Sequence, residues 1–189
     1  SKLYETDLGE CVAAGVKDIL WQGMIADDFA GIRSYIKTDY PLMDPYHYIN
    51  TGVVLLDLEK MRHLYTMEQV VLLSKTNKYR YQEQDLLNLL LEGKIKYIGP
   101  EWNYYVPTNQ DVERLIALAP SDYYEAYRCC ATRIKILHFA AHPKPWAAPE
   151  GKLSSTFWLN ARRSMYYEVI LSRLIDERIS LALTCNNVS

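Results

Sequence analysis

"HYINTGVVLLDLEKMR" spans residues 47–62. Its core, residues 53–58, is largely apolar and rich in β-branched side chains. A short run of that kind predicts a strand buried on both faces, the sort that sits inside a sheet covered by helices. Asn50, Thr51 and Gly52 lead into the run. A glycine there lets another group approach the backbone closely, or it marks a simple turn.

The segments on either side alternate in period. "DLGECVAAGVKDIL" (7–20) places Val12, Val16 and Ile19 at helical spacing, with Asp7 as a cap, and predicts a helix. "TMEQVVLLSKTNKY" (66–79) predicts another, with Thr66 and Gln69 forming a capping box. In "YQEQDLLNLLLEGKIKYIG" (81–99), Leu86, Leu87, Leu90 and Leu91 make an apolar helix stripe. Gly93 stands at the C-terminal cap, and a short strand follows. "DVERLIAL" (111–118) and "DYYEAYRCCATR" (122–133) read as helices, and "IKILHF" (134–139) as a short buried strand. Residues 155–183 predict one long amphipathic helix. Helices alternating with strands specify an α/β domain. The expected division is residues 1–150 as the main domain and 151–189 as a helical segment packed on it.

Composition narrows the class. At 49% apolar and 23% charged residues, 189 residues can build an ordinary globular core. A net charge of −2 provides no general attraction for nucleic acid. No apolar run approaches the length of a membrane-crossing helix. Four cysteines without CxxC spacing fit a reducing, cytoplasmic setting. Sixteen tyrosines suit a cleft for sugars or nucleotides, since each ring has a flat face and a hydroxyl tip, though rings also cover core edges.

Three groups can carry chemistry. In "LHFAAHPKPW" (137–146), His138 and His142 have the spacing of a helical zinc pair, but Pro143 and Pro145 oppose a helix there. Lys144, held between two prolines, suits a phosphate oxygen or is a solvated turn lysine. Glu83, Gln84 and Asp85 stand at a helix N-terminus, either as plain dipole-stabilised capping residues or as a polar cluster for a hydroxylated substrate.

The ordered set "YINTGVVLLDLEKMR", "YQEQDLLNLLLEGKIKYIGPEWNYY" and "ILHFAAHPKPW" resembles glycosyltransferase family 8, the glycogenin-like and bacterial lipopolysaccharide glucosyl- and galactosyltransferases. "FWLNARRSMYYE" is similar to the helix after the last motif in bacterial members. The resemblance implies a GT-A fold of which this chain is the C-terminal portion, a mixed sheet flanked by helices. It implies a retaining hexosyltransferase that uses manganese and UDP-glucose or UDP-galactose, acting on a glycan or lipid-linked glycan. It also implies site roles. His138 would be a metal ligand, and Lys144 with Ala141 would meet the diphosphate. Asn50, Thr51 and Gly52 would line the donor sugar. Glu83 would hold sugar hydroxyls, Gln84 would lie at the reacting face, and Asp85 would stabilise the cationic sugar.

Three departures stand out. Ala141 replaces the motif's glycine, and Glu83 replaces an aspartate. The family's Asp-x-Asp metal motif is expected ahead of Leu3, so a truncated, inactive and self-associating fragment is one expectation. Others are a non-catalytic carbohydrate-binding module derived from such an enzyme, and a metal hydrolase using both histidines. Arg162, Arg163, Arg173 and Arg178 among Trp158, Tyr166, Tyr167 and Leu171 suggest peripheral contact with the inner membrane face, or a core-packed helix with a solvated basic side.

Overall fold

A computed structural model describes residues 2–40, 42–76 and 78–186. In chain order the strands are β1 (Ala13–Lys17), β2 (Ile49–Leu56), β3 (Ile95–Tyr97), β4 (Tyr104–Tyr105) and β5 (Leu137–His138). The helices are α1 (Ile19–Asp27), α2 (Ile32–Thr38), α3 (Leu58–Leu64), α4 (Met67–Thr76), α5 (Gln82–Leu90), α6 (Gln110–Ala117), α7 (Ser121–Cys129), α8 (Ser154–Ala161) and α9 (Tyr167–Asn186). The chain divides into two compact units, residues 1–105 with 113–138, and residues 106–112 with 139–189.

The larger unit is built on β1. Strand β2 runs antiparallel to it on one side and β3 parallel on the other, in the order β2-β1-β3, which makes a mixed sheet. A register shift falls between Gly15 and Val16. Strands β4 and β5 pair in parallel, with Tyr105 opposite His138.

Two apolar clusters form around this frame. Trp21, Met24 and Ile25 of α1 pack with Ile32, Tyr35, Tyr40, Tyr48 and Leu115. Val12, Ala13, Ile49, Leu90, Leu91 and Ile95 form the other, joined by Met61 and Val70 of α3 and α4. The adjacent residues Tyr48 and Ile49 thus serve different clusters, as the alternation of an extended chain requires. Helix α1 lies unusually close to α6, because a Cβ on Gly23 would fall 1.8 Å from the Leu115 carbonyl oxygen.

Several expectations hold. The capping box at the start of α4 is formed, with Gln69 N donating to Thr66 Oγ1 and Thr66 N donating to Gln69 Oε1. Asn77, in the same stretch, lies outside the described residues. The leucine stripe on α5 and the strand after it are present. Gly93 takes the left-handed φ of +73°, one position further from the helix than expected.

Four expectations are corrected. The 7–20 helix is instead a loop, strand β1 and the start of α1. Val12 and Val16 do recur every fourth residue, but Ala13, Ala14 and Gly15 between them are buried too. A stretch with both faces buried suits a central strand, where neighbours supply the hydrogen bonds. Asp7 accepts from Gly9 N in a turn and caps no helix. Strand β2 starts four residues earlier than expected, at Ile49. It is an edge strand of the sheet as described, and residues 53–56 are half-buried, not buried on both faces. Asp57 leaves the strand to cap α3 by accepting from Lys60 N. The 134–139 strand shrinks to two half-buried residues. The long C-terminal helix is two, broken around Ser164, whose hydroxyl accepts from Tyr166 N in a local turn. Among the described residues no helix is long and apolar enough to cross a membrane.

Candidate active site

The C-terminal end of β1 delivers the buried residue Asp18. One carboxylate oxygen, Oδ1, caps α1 by accepting from Leu20 N and Trp21 N, both at 3.0 Å. The other, Oδ2, accepts from Asn50 Nδ2 at 2.9 Å and Gln84 Nε2 at 3.1 Å. A buried carboxylate needs that much company, since desolvation of an unpaired one is costly.

Each amide is held at its other end. Gln84 Oε1 accepts from Thr51 N at 3.1 Å. Asn50 Oδ1 accepts from Gly52 N and from Asn103 Nδ2, both at 3.0 Å. Asn88 ties α5 to β2, donating to Ile49 O and accepting from Ile49 N. The structure therefore brings Asn50, Thr51 and Gln84 into one hydrogen-bonded cluster.

Gly52 has a different neighbour. A Cβ there would lie 2.1 Å from His138 Cε1, so the group that approaches this backbone is the protein's own imidazole. The pairing of β4 with β5 fixes His138 at that spot, with the Tyr105 ring 6.1 Å away.

Asp85, the third member of the acidic motif, lies beneath the cluster and is fully buried. Its Oδ2 accepts from Tyr35 Oη and Tyr81 N, and its Oδ1 from Tyr48 Oη, each at 2.7 Å. Tyr40 Oη donates to its carbonyl. Burial, and secondarily the Asp85 charge, pushes the Tyr40 and Tyr48 phenols far above their ordinary range. Tyr35 is raised as well, chiefly by burial. These tyrosines are therefore permanent donors. They anchor the first turn of α5, whose opening residue Gln82 has a left-handed φ of +46°. A non-glycine residue in that region costs on the order of 1–3 kcal/mol and persists only where its surroundings enforce it.

Glu83 points elsewhere. It is exposed on α5, beside a hollow it lines with Ser74, Tyr79, Gln82 and Leu86.

Lys144 and Ala141 belong to the smaller unit. Lys144 Nζ folds back on its own loop, donating to Phe139 O and to Ala140 O, the latter at 2.6 Å. Burial lowers its pKa from the ordinary lysine value. Thr108 Oγ1 and Asn109 Nδ2 both donate to His142 O at 2.8 Å, and Trp158 Nε1 donates to Pro145 O. The loop is thus braced at both prolines, while the Trp146 ring is half-exposed against Phe157. The bracing runs through the His142 carbonyl, and the His142 side chain is exposed.

Sequence inspection missed Asp18, Asn88 and Asn103. Asp18 carried a signal, because an aspartate just before an apolar run is a helix start, here obscured by reading residues 7–20 as one helix. Asn88 interrupts a leucine stripe, and Asn103 carried no local signal.

Comparison with known proteins gives consistent relatives. The sequence model of the family described as "Glycosyl transferase family 8" matches residues 1–149. A lipopolysaccharide 1,2-glucosyltransferase of Escherichia coli (strain K12) is 30% identical over 152 residues, covering 77% of this chain and 39% of the relative. Among solved structures, the bifunctional glycosyltransferase WbbM superposes with a TM-score of 0.81 at 20% identity, over 92% of this chain and 32% of that one. The galactosyltransferase LgtC, in complex with donor and acceptor sugar analogs, gives 0.62 at 22% identity, over 82% and 53%. The chain therefore spans between a third and about half the length of these relatives.

Proposed function

Because the chain belongs to glycosyl transferase family 8 and has the GT-A fold, we propose that it serves a retaining hexosyltransferase moving glucose or galactose from a UDP-sugar to a glycan. The observation that carries this reading is the amide cluster of Asn50, Thr51 and Gln84, set beside Gly52 with His138 packed against it. Directional donors and acceptors on a rigid strand and helix suit the hydroxyls of a sugar.

In this reading Asn50, Thr51 and Gly52 line the donor sugar and Gln84 faces its anomeric carbon. As the bond to UDP breaks, the sugar becomes cationic, and an amide oxygen nearby stabilises it. Asp85 is proposed to act from below, holding the first turn of α5 in place. Glu83 is proposed to reach a sugar hydroxyl from the surface of α5. Lys144, with Ala141 beside it, is proposed to leave its two carbonyl partners for the diphosphate, which neutralises the departing charge. An ammonium whose pKa is lowered by burial regains its preference for the charged form next to phosphate.

The family's manganese finds an incomplete set of partners here. His138 is a suitable ligand type and is proposed as one of them. Among the described residues no group of three His, Cys, Asp or Glu side chains is placed to hold an ion.

Two further assignments belong to this proposal. Residues 1–150 act as the C-terminal portion of the catalytic domain, and 151–189 as a helical appendage. The acceptor is a free or lipid-linked glycan reached from the cytoplasmic side. Helix α9 leaves Ile175, Ile179 and Leu183 exposed, which fits peripheral contact with a membrane surface.

The test is transfer and donor hydrolysis by the complete protein with UDP-glucose and UDP-galactose, with and without manganese, alongside His138→Ala. A large loss in the variant supports the reading, and full activity removes the metal role. Sugar binding without any turnover would favour the non-catalytic module.

A further inference from the structure

We infer that Asp18 is a positioning residue, which locks the amide direction of Gln84 and Asn50. The inference rests on the proposed role of those two residues at the donor sugar. Asp18 Oδ2 can only accept, and it meets Nε2 of Gln84 and Nδ2 of Asn50. At its far end Gln84 meets Thr51 N, a donor, so its oxygen must lie there. At its far end Asn50 meets Gly52 N and Asn103 Nδ2, again donors. Neither amide can turn over without setting acceptor against acceptor at Asp18 and donor against donor at its far end.

The carboxylate is itself fixed. Its other oxygen, Oδ1, is held by the amides of Leu20 and Trp21 in the first turn of α1, and the residue is buried. The direction of the α1 N-terminus is thereby passed to the two amides across the site, which come from β2 and α5. The chain separations are 32 and 66 residues. A flipped Gln84 would offer an NH₂ group where the reading places a carbonyl oxygen. An NH₂ group repels a developing positive charge that an oxygen attracts.

A double-mutant cycle in the complete protein tests this. Asp18→Asn keeps an oxygen for the α1 cap, because asparagine caps as well as aspartate does. It turns an NH₂ group on Gln84 and Asn50. Gln84→Glu places a second carboxylate against Asp18. In the pair Asp18→Asn with Gln84→Glu, the NH₂ group introduced at position 18 and Thr51 N both donate to the new carboxylate, so that side of the network closes again. The expected result is a Tm loss of about 5 °C for each single variant and a smaller loss for the pair than the two added together. Asp18→Asn is also expected to lower kcat about 100-fold with the donor KM little changed. Strict additivity in Tm would overturn the lock. A non-additive cycle with kcat unchanged would overturn the positioning role. If the unmodified protein transfers no hexose, the proposed function fails, while the Tm cycle still decides the lock.

Discussion

Gly52 lies directly against the imidazole of His138, so close that a single methyl group at position 52 would sit 2.1 Å from Cε1. The strand that lines the proposed sugar site and the residue proposed to face the metal are therefore one packed unit. Gly52→Ala is expected to push the His138 ring out of place while leaving the sheet intact, since Gly52 has no left-handed φ to protect. Transfer should fall about 100-fold with a Tm change of only a few degrees. Kinetics combined with thermal unfolding checks this, and normal activity in the Gly52→Ala variant would separate His138 from the reaction.

The tyrosine shell around Asp85 gives a pH dependence. Free phenols titrate near 10.0, and burial raises Tyr35, Tyr40 and Tyr48 above that. Above pH 10 the unfolded chain releases protons that the folded chain keeps. The stabilisation is complete below the unfolded pKa and is lost as pH rises toward the folded values. Urea midpoints should be level to about pH 9.5 and fall beyond it. Tyr48→Phe should lower stability by about 2 kcal/mol, the loss of a bond to a charged group, and make the alkaline decline shallower. A decline of equal slope in both proteins would contradict the assignment.

Gly23 is where α1 meets the backbone of α6. Gly23→Ala would place a Cβ 1.8 Å from the Leu115 carbonyl oxygen, and backbone cannot yield as a side-chain tip can. Despite the better helix propensity of alanine, the variant is expected to lose about 2–3 kcal/mol through overpacking. Chemical denaturation measures it, and a stabilised variant would refute the close approach.

Lys144 is tied to two carbonyls of its own loop. Lys144→Met keeps most of the aliphatic stem and removes the charge. Transfer should drop on the order of 100-fold, with loss of the discrimination between UDP and uridine as competing ligands. Equal inhibition patterns in the variant and the unmodified protein would leave Lys144 as a loop brace alone.

What could be read from the sequence was what is encoded within a few residues. The capping box of Thr66 and Gln69, the leucine stripe of α5 and the strand after Gly93 are local patterns, and each is present. The motif order that marks the family is also local in each part. Tertiary structure decided the rest. Val12, just ahead of β1, and Val16 within it keep a helical period by chance, because Ala13, Ala14 and Gly15 between them are buried too and period then loses its meaning. Asp85 became a buried anchor because three tyrosines, 37 to 50 residues earlier in the chain, converge on it. Asp18 joined the site through amides 32 and 66 residues away. Hydrogen bonds over such separations leave no periodic trace in the chain, since they are chosen by how sheet and helices pack and not by neighbours in sequence.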